Sequence, residues 1–307
     1  MCIRDSAWGV RIGVRLPQYG STWSEIRDTA IQCESLGFDG LWVNDHFQSP
    51  GRRKNDATFE ALTTLAGVAQ HTNRVRLGLA VLAASYRFAP VATKALATIN
   101  AMAPGRLVVG LGSGSDRAEH HAYGIMFPPP LARTARLELT IEVMRAMAAN
   151  PDGASVDGML NDAPNHPAAN PPIWVAAHKR IGLTIAGAMG DGVVAAFTTP
   201  AEFARRRAIA DEARLAADRP PLAWCLYTFA LPLVAETDGW LAAQATALDS
   251  TPGAIRRWLA GTGIVAPPDE LRDQLREFAA VGVTDVVIAS PDRMPAEAWD
   301  ALAQAVL

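Results

Sequence analysis

The sequence predicts an α/β fold, namely a (β/α)8 TIM barrel with an excursion after the fourth strand. From Arg11 onward, short apolar or β-branched segments alternate with longer amphipathic segments, a pattern typical of parallel strands joined by crossover helices. Eight strand-like segments can be distinguished, and eight is the number that closes a barrel of this kind. A doubly wound open sheet is the alternative, because strand order cannot be read from a sequence.

The predicted elements follow one another in a regular order. Apolar and β-branched composition predicts strands at 11–17, 40–44, 75–83, 106–114, 172–177, 192–197, 222–235 and 285–290. Amphipathic periodicity predicts helices at 23–37, 56–72, 90–103, 135–149, 181–190, 200–217, 239–260 and 269–282, and a terminal helix after them. Gly37 is suited to end the first helix, and Pro90 is suited to the first turn of the third.

The chain is interpreted as a single barrel domain over residues 11–307. Residues 1–10 lack the apolar core of a signal peptide, and we interpret them as a non-native or disordered leader. The segment 150–171 is rich in Pro, Asn and Gly and interrupts the alternation. An excursion or lid is therefore expected there.

Bulk composition points to small-molecule chemistry. Of 307 residues, 50% are apolar and 19% are charged, which is sufficient for a large core. The net charge of -3 predicts neither a nucleic-acid partner nor an anionic membrane partner, and no apolar run is long enough to span a membrane. Three separated cysteines without a C-x-x-C pair favour a reducing, cytoplasmic location. A small-molecule substrate is therefore expected.

A polar pair follows the second predicted strand. Asp45 and His46 come soon after the apolar segment 41–43, and active sites of barrels are built at the carboxyl ends of the strands. One interpretation is an active site; the other is a solvated loop with a hydrogen-bonded histidine. The basic run Arg52, Arg53 and Lys54 lies just beyond. It is either solvated surface or a contact for an anionic tail on a cofactor or substrate.

The distribution of histidines leaves a second class of function open. Four of the six follow the second, fourth and fifth predicted strands, namely His46, His120, His121 and His178. With the carboxylates of Asp45, Asp116 and Glu119 nearby, they would suit a metal-dependent barrel hydrolase. Against this alternative, the first strand carries no H-x-H pair and no H-E-x-x-H motif occurs. We therefore assign no metal ligands.

Two further loops are candidates for cofactor contacts. The glycines of GLGSG at 110–114 would let the backbone approach a flat ring or a phosphate. A small-residue barrel rim explains them equally well. AAHKR at 176–180 opens a helix with small residues and two cations, which suits a phosphate group. A basic helix start is the alternative there.

Four segments carry a resemblance to a known family: GFDGLWVNDHF (37–47), RLGLAVLAASYRFAPVATKALATINAMAPGRLVVGLGSG (76–114), PPIWVAAHKRIGLTIAGAMGDGVV (171–194) and LRDQLREFAAVGVTDVVIA (271–289). Together, in order and spacing, they resemble the luciferase-like monooxygenase superfamily of flavin- or deazaflavin-dependent barrel enzymes. Within it the chain is most similar to the branch that uses the deazaflavin coenzyme F420, and the nearest pattern is that of the methylenetetrahydromethanopterin reductases.

The resemblance implies a barrel of the bacterial-luciferase-like type and an oxidoreductase. It implies hydride transfer between C5 of coenzyme F420 and a small organic substrate. The family's Asp-His pair beside the ring maps onto Asp45 and His46, and His46 would serve as acid or base because imidazole titrates near neutral pH. A non-prolyl cis peptide that presses on the ring maps onto Ala80–Val81. Many relatives form dimers, which makes a homodimer an expectation.

The same resemblance implies a set of cofactor-binding residues. These are Asp45, Ala80, Val81, Gly112, Ser113, Gly114, Ala176, Ala177, His178, Lys179, Arg52 and Arg53. The last two, with Lys54, would face the oligoglutamate tail of the coenzyme, and Ala177, His178 and Lys179 would lie under its phosphate.

Two departures from the family pattern affect the chemistry. Related sugar-phosphate dehydrogenases have a glutamate directly after the G-x-G of the fourth strand, whereas this chain has Ser115 followed by Asp116. The expected proton donor is then Asp116 or Glu119, and sugar dehydrogenation is not the expected reaction. The phosphate loop AAHKR also lacks the glycines and the proline of many relatives. An FMN-dependent monooxygenase is the alternative within the family, and a non-catalytic flavin-binding protein is a further one.

Overall fold

The computed structural model describes residues 9–49, 56–167, 169–289 and 294–307. Its strands are β1 Arg11–Arg15, β2 Gly40–Val43, β3 Arg76–Ala83, β4 Leu107–Gly112, β5 Ala154–Val156, β6 Leu160–Ala163, β7 Ile173–Ala176, β8 Gly192–Ala196, β9 Ala223–Pro232, β10 Gly263–Ala266 and β11 Asp285–Ile288. Its helices are α1 Trp23–Leu36, α2 Ala61–Ala69, α3 Ala89–Met102, α4 Arg117–Ala122, α5 Pro130–Ala149, α6 Arg180–Met189, α7 Pro200–Ala216, α8 Ala235–Ala247, α9 Pro252–Ala260, α10 Pro268–Ala280 and α11 Ala296–Val306.

Eight parallel strands close into a barrel, which confirms the predicted fold class. The strands pair in the order β11-β1-β2-β3-β4-β7-β8-β9, and β9 pairs with β11 to complete the ring. In register, Gly13 of β1 lies opposite Gly40 of β2, and Val14 lies opposite Ile288 of β11. Parallel pairing places the carboxyl ends of all eight strands at one end of the barrel, which we call the mouth.

Local signals in the sequence begin and end the helices that surround the barrel. Thr22 caps α1 with a reciprocal capping box to Glu25, and Gly37 ends that helix in the left-handed conformation at φ 106°. A proline in the first turn starts α3, α5, α7, α9 and α10. Across the described ranges, no helix combines the length and the apolar character that crossing a membrane requires.

The structure differs from the sequence prediction in several places. The helix predicted over 56–72 begins only at Ala61, because Thr58 pairs with Tyr19 in a β-bridge and Glu60 caps the helix. The helical region predicted over 239–260 is two helices, α8 and α9, with Asp249 in the left-handed conformation between them. The excursion at 150–171 contains the antiparallel hairpin β5–β6. The short strands β5, β6 and β10 and the helix α4 were not predicted.

Two apolar layers organise the core. The larger one lies between the strands and the helices and includes Phe38, Phe203 and Trp299. The smaller one fills the barrel itself and includes Trp42 and Trp174, whose indoles stack with centroids 5.4 Å apart. Their large side chains fill the barrel interior toward its amino-terminal end.

Candidate active site at the mouth of the barrel

Small side chains line the barrel interior near its mouth. Ala80, Val81, Ala176 and Ala196 belong to the interior layer and are partly exposed, unlike the two tryptophans beneath them. The interior is therefore filled toward the amino-terminal end of the barrel and more exposed at the mouth. A flat ring would find small apolar side chains on this part of the mouth.

One buried carboxylate, that of Glu119 in α4, organises the polar side of the mouth. Its Oε2 faces His46 Nδ1 at 3.0 Å and also accepts from the hydroxyl of Tyr86. Its Oε1 accepts from the backbone N–H groups of Phe47 and Gln48, the latter at 2.8 Å. The side chain is only 2% exposed. Four donors on one carboxylate are typical of an ionised group that holds neighbouring loops in place.

The hydrogen-bond donors of Glu119 control its charge. Burial by itself would raise the pKa of this carboxyl group, but its donors, with His46 and Tyr86 foremost, lower the pKa to about 2. Burial and the hydrogen bond to Glu119 in turn raise the pKa of Tyr86. A proton donor must carry its proton near neutral pH. The low pKa of Glu119 therefore argues against the predicted donor role and favours a positioning role.

His46 is the titratable group of this network that reaches the mouth. Its side chain is 35% exposed, and its Nδ1 is held by Glu119. Within the described ranges no hydrogen bond to its Nε2 is present. Burial by itself would lower the pKa of His46, but the hydrogen bond and the negative charge of Glu119, aided by two nearby aspartates, raise it above its ordinary value. The arrangement suits proton exchange at Nε2.

Asp45 is adjacent to His46 in the sequence but lies in a different network. Its carboxylate is fully buried and makes a bidentate pair with Arg87, at 2.6 and 2.7 Å. It also accepts from the backbone N–H of Ala83 at 2.9 Å, and Arg87 continues to Glu60. The Asp45 side chain therefore joins the ends of β2 and β3.

The non-prolyl cis peptide expected at Ala80–Val81 is present, and this prediction is confirmed. The register between β3 and β4 shifts at the same point, between Leu79 and Leu82. The side chain of Val81 consequently lies over β4, where a Cβ on Gly112 would come within 2.8 Å of Val81 Cγ2. Gly112 thus has a packing reason to be glycine, in addition to the predicted cofactor contact.

The rest of the predicted glycine loop is shaped by the loop after β3. Gly114 has φ +75°, and a Cβ there would lie 1.9 Å from Ser85 Oγ, so that only glycine fits. Ser113 beside it is partly exposed at the mouth. Asp116 caps α4 by accepting from the backbone N–H of Glu119 at 2.9 Å. Its carboxylate supports the helix that carries Glu119.

The four histidines of the metal-hydrolase alternative do not come together. His120 is fully buried and bonds Ser85 Oγ at 2.8 Å and the backbone carbonyl of Asp116, while His121 and His178 are exposed. Within the described ranges, the side chains close enough to share an ion are those of His46, Asp116 and Glu119, whose ligand atoms lie within 4.8 Å of one another. Glu119 already accepts four hydrogen bonds, which disfavours it as a ligand.

The predicted phosphate loop lies at the start of α6. Ala177 is buried, His178 and Lys179 are exposed, and Lys179 occupies the cap position without a side-chain hydrogen bond. His178 Nδ1 lies 3.2 Å from the guanidinium of Arg206 in α7. Burial and the positive charge of Arg206 lower the pKa of His178. The helix amino terminus and these side chains can attract an anion.

Some predicted residues fall outside the described ranges, and some residues of the candidate site were not predicted from the sequence. Arg52, Arg53 and Lys54 lie in the segment 50–55, which the structure does not describe. Tyr86 and Arg87 were not predicted, although both directly follow the third predicted strand, where barrel active sites are built. Position after a strand was therefore the available signal for both residues.

The contact between the ends of β2 and β9 was also not predicted from the sequence. Asn44 Nδ2 lies 3.1 Å from the hydroxyl of Tyr227, and the backbone N–H of Asn44 donates to Gln18 Oε1 at 2.5 Å. Gln18 also donates to the carbonyl of Phe59 at 3.1 Å. These bonds join the ends of β1, β2 and β9 around the mouth. No sequence pattern indicates such partners, which are far apart in the chain.

Comparison with known proteins gives this geometry a family. Residues 8–251 match the family model described as luciferase-like monooxygenase. The F420-dependent glucose-6-phosphate dehydrogenase of Kineococcus radiotolerans is 34% identical over 178 residues, which cover 55% of this chain and 51% of that protein. The chain thus matches about half the length of such curated relatives.

Two solved structures share the fold over nearly the whole chain. An F420-dependent secondary alcohol dehydrogenase in complex with an F420-acetone adduct superposes with a TM-score of 0.82 at 17% identity, covering 97% of this chain and 98% of that one. The coenzyme F420 dependent tetrahydromethanopterin reductase from Methanopyrus kandleri gives a TM-score of 0.77 at 19% identity, with coverage of 97% and 98%. At these identities the similarity establishes the barrel fold.

Proposed function

The chain belongs to the luciferase-like monooxygenase family, and we propose that it is an oxidoreductase that transfers a hydride between coenzyme F420 and a small organic substrate. The observation that carries the proposal is His46, whose Nδ1 is held by the ionised Glu119 at a mouth lined in part by small side chains. Curated relatives at 31% to 34% identity are named F420-dependent glucose-6-phosphate dehydrogenases, and these names support the choice of coenzyme.

The residues at the mouth fit a deazaflavin ring. Partly exposed Ala80, Val81 and Ala176 present small side chains on the β3 and β7 side of the interior, and a planar ring requires such a surface on one face. When bound, coenzyme F420 supplies the hydride donor or acceptor carbon. The amino terminus of α6, with His178 and Lys179, would hold the phosphate end. The assignment of Arg52 and Arg53 to the oligoglutamate tail remains a proposal from the sequence.

In this proposal His46 exchanges a proton with the substrate at Nε2. Glu119 fixes the ring through Nδ1 and stabilises the imidazolium, as an acidic partner of a catalytic histidine does. The raised pKa of His46 keeps the imidazole protonated at a higher pH than an isolated histidine. It can therefore donate a proton to an oxygen that gains charge when a hydride arrives on carbon. Asp45, Asp116 and Tyr86 support the geometry, and Glu119 is a positioning residue.

Paired titrations with coenzyme F420 and with FMN test the proposal. Purified protein is titrated with each compound while ligand fluorescence is followed. We expect saturable binding of coenzyme F420 with an affinity at least about a hundredfold above that for FMN, a difference of about 2.7 kcal/mol. Preferential FMN binding would instead assign the chain to the oxygen-using side of its family. Failure of both to bind would contradict the proposal.

A structure-based variant locates the binding site. Ala176→Trp places a large ring in the open part of the interior and should lower the affinity for coenzyme F420 at least about tenfold. The matched control is Ala216→Trp at the end of α7, where Ala216 is exposed at the opposite end of the barrel. Equal coenzyme affinity of the two variants would show that the coenzyme does not enter the mouth.

A further inference from the structure

We infer that a row of aromatic side chains on the β8–β9 side of the mouth binds an uncharged, flat apolar or aromatic part of the substrate. The row, which we call the aromatic platform, consists of Tyr227, Phe197, Phe229 and Trp258. The inference rests on the proposed function and names the substrate class for the same site. It predicts a ring-bearing carbonyl compound or alcohol, not a phosphorylated sugar.

The platform is continuous from the barrel interior to the surface. Phe197 packs edge-on against Tyr227 with centroids 5.6 Å apart and stacks on Phe229 at 5.4 Å. Phe229 in turn contacts Trp258 of α9 at 5.3 Å. The inner end is Tyr227, whose hydroxyl lies 3.1 Å from Asn44 Nδ2, two residues before His46. A substrate on the platform would therefore extend toward the proton-exchanging group.

Two members of the platform are exposed where apolar side chains are normally covered. Phe197 is 45% exposed and Trp258 is 58% exposed, whereas Tyr227 between them and the core is 8% exposed. Covering exposed aromatic surface stabilises a complex, and stacked or edge-on ring pairs add to this. An aromatic ligand group would gain both contributions.

The backbone conformation of Phe197 supports the same inference. Its φ of 45° lies in the left-handed region, which bulky side chains rarely adopt. Its backbone N–H donates to the carbonyl of Tyr227 at 2.9 Å, so that this conformation is held by the neighbouring strand. Such conformations cluster at ligand-binding sites. The phenyl ring of Phe197 is partly exposed beside the mouth, where a bound ligand would contact it.

The chemistry around the platform selects against charged ligands. The stretches 192–201, 220–235 and 258–268, which carry the platform and its neighbours, contain no charged residue. Arg256 and Arg257 precede Trp258 at its outer end, and Arg256 pairs with Asp238 at 3.5 Å. Phosphate recognition depends on cations or converging N–H donors. Within these three stretches the platform offers rings and methyl groups instead.

Saturation-transfer NMR with two probes tests the inference on protein saturated with coenzyme F420. Acetophenone supplies a neutral aromatic carbonyl compound, and glucose 6-phosphate supplies the charged alternative. We expect saturation of the acetophenone ring protons, with no comparable transfer to glucose 6-phosphate. Acetophenone affinity should fall up to about tenfold in Phe197→Ala and Trp258→Ala, as expected for the loss of one ring contact.

Two further variants distinguish the loss of a ring contact from a nonspecific effect of substitution on the protein. Phe197→Tyr keeps the ring and should retain acetophenone affinity within about threefold, as judged from the same ring energies. Leu215→Ala removes a side chain that is 67% exposed at the far end of α7 and should behave as wild type. Coenzyme affinity is measured for each variant, because failure of wild type to bind coenzyme F420 overturns the proposed function itself. Coenzyme binding with unchanged acetophenone affinity in both alanine variants, or with preferential glucose 6-phosphate binding, overturns the platform.

Discussion

The two ends of the barrel are held together in different ways. At the amino-terminal end, the stacked indoles of Trp42 and Trp174 fill the interior, and glycines on the neighbouring strands make room for them. At the mouth the interior stays open, and buried carboxylates hold the loops: Asp45 through Arg87, and Glu119 through its four donors. An end that must admit a ligand cannot be filled with side chains, so polar networks order it instead.

This difference predicts that each end responds to a different kind of change. The closed end should be sensitive to added volume, because interiors are packed to crystal-like density. The mouth should be sensitive to the loss of a charge or of a hydrogen-bond partner, because an unpaired buried charge is costly. Substitutions at the two ends can therefore confirm or contradict this difference between them.

The largest expected effect is at the mouth. Arg87→Ala leaves the fully buried carboxylate of Asp45 without its bidentate partner, and removal of one partner of a buried pair typically costs about 3–5 kcal/mol. Urea denaturation should show this loss in the free energy of unfolding. Arg205→Ala, in the exposed pair with Glu202, is the matched control and should leave the unfolding midpoint unchanged. Equal midpoints for the two variants would refute the view that the Asp45–Arg87 pair holds the mouth.

Acid stability should report the second network. The pKa of Glu119 is about 2 in the folded protein against an ordinary value of 4.5. A depressed pKa stabilises the folded state fully above the unfolded value, and this stabilisation is lost as pH falls from 4.5 through about 2. At about 1.4 kcal/mol per pKa unit the loss amounts to about 3 kcal/mol.

Glu119→Gln removes this titration and provides the comparison. Unfolding free energies measured over the same acid range should fall by about 3 kcal/mol more in wild type than in the variant. Other carboxylates titrate in both proteins and cancel in the difference. Parallel pH dependences would contradict the assignment of Glu119 as the ionised centre of the mouth.

The closed end should show a smaller effect that depends on volume. A Cβ on Gly78 would lie 2.1 Å from Trp42 Cε3, and overpacking of this kind typically costs about 1–3 kcal/mol. Gly78→Ala should lower the thermal midpoint accordingly. Gly239→Ala in α8, where a Cβ would meet nothing within 4 Å, should be neutral or stabilising by up to about 1 kcal/mol. A Gly78→Ala protein as stable as wild type would mean that the closed end tolerates added volume.

Much of the barrel could be predicted from the sequence because its strands and helices have different periodicities. All eight barrel strands were predicted within a few residues, since each is an apolar run between breaking residues. The hairpin β5–β6 and strand β10 were missed because strands of three or four residues carry too few positions to show alternation. The division between α8 and α9 depends on the conformation of Asp249, which periodicity does not reveal.

The candidate site was predicted only in part. Asp45 and His46 were expected to act as a pair beside the ring because the family's Asp-His pair maps onto them. Successive side chains at a strand end point to opposite sides, so that each finds a partner elsewhere, Arg87 for Asp45 and Glu119 for His46. Such partners lie 42 and 73 residues away, and one sequence contains no signal for contacts at that separation.

The measurement that tests the account most directly is a histidine NMR titration with and without coenzyme F420. Protein with ¹³C-labelled histidine is titrated with acid and base, and His46→Gln assigns the resonance. We predict a titration midpoint for His46 above 6.5, a lower midpoint in Glu119→Gln, and a shift of the His46 resonance when coenzyme F420 saturates the protein. The resonance of His71, beyond the far end of α2, should not shift when coenzyme F420 is added. A midpoint at or below 6.5, or a His46 resonance unchanged by bound coenzyme, would contradict the account.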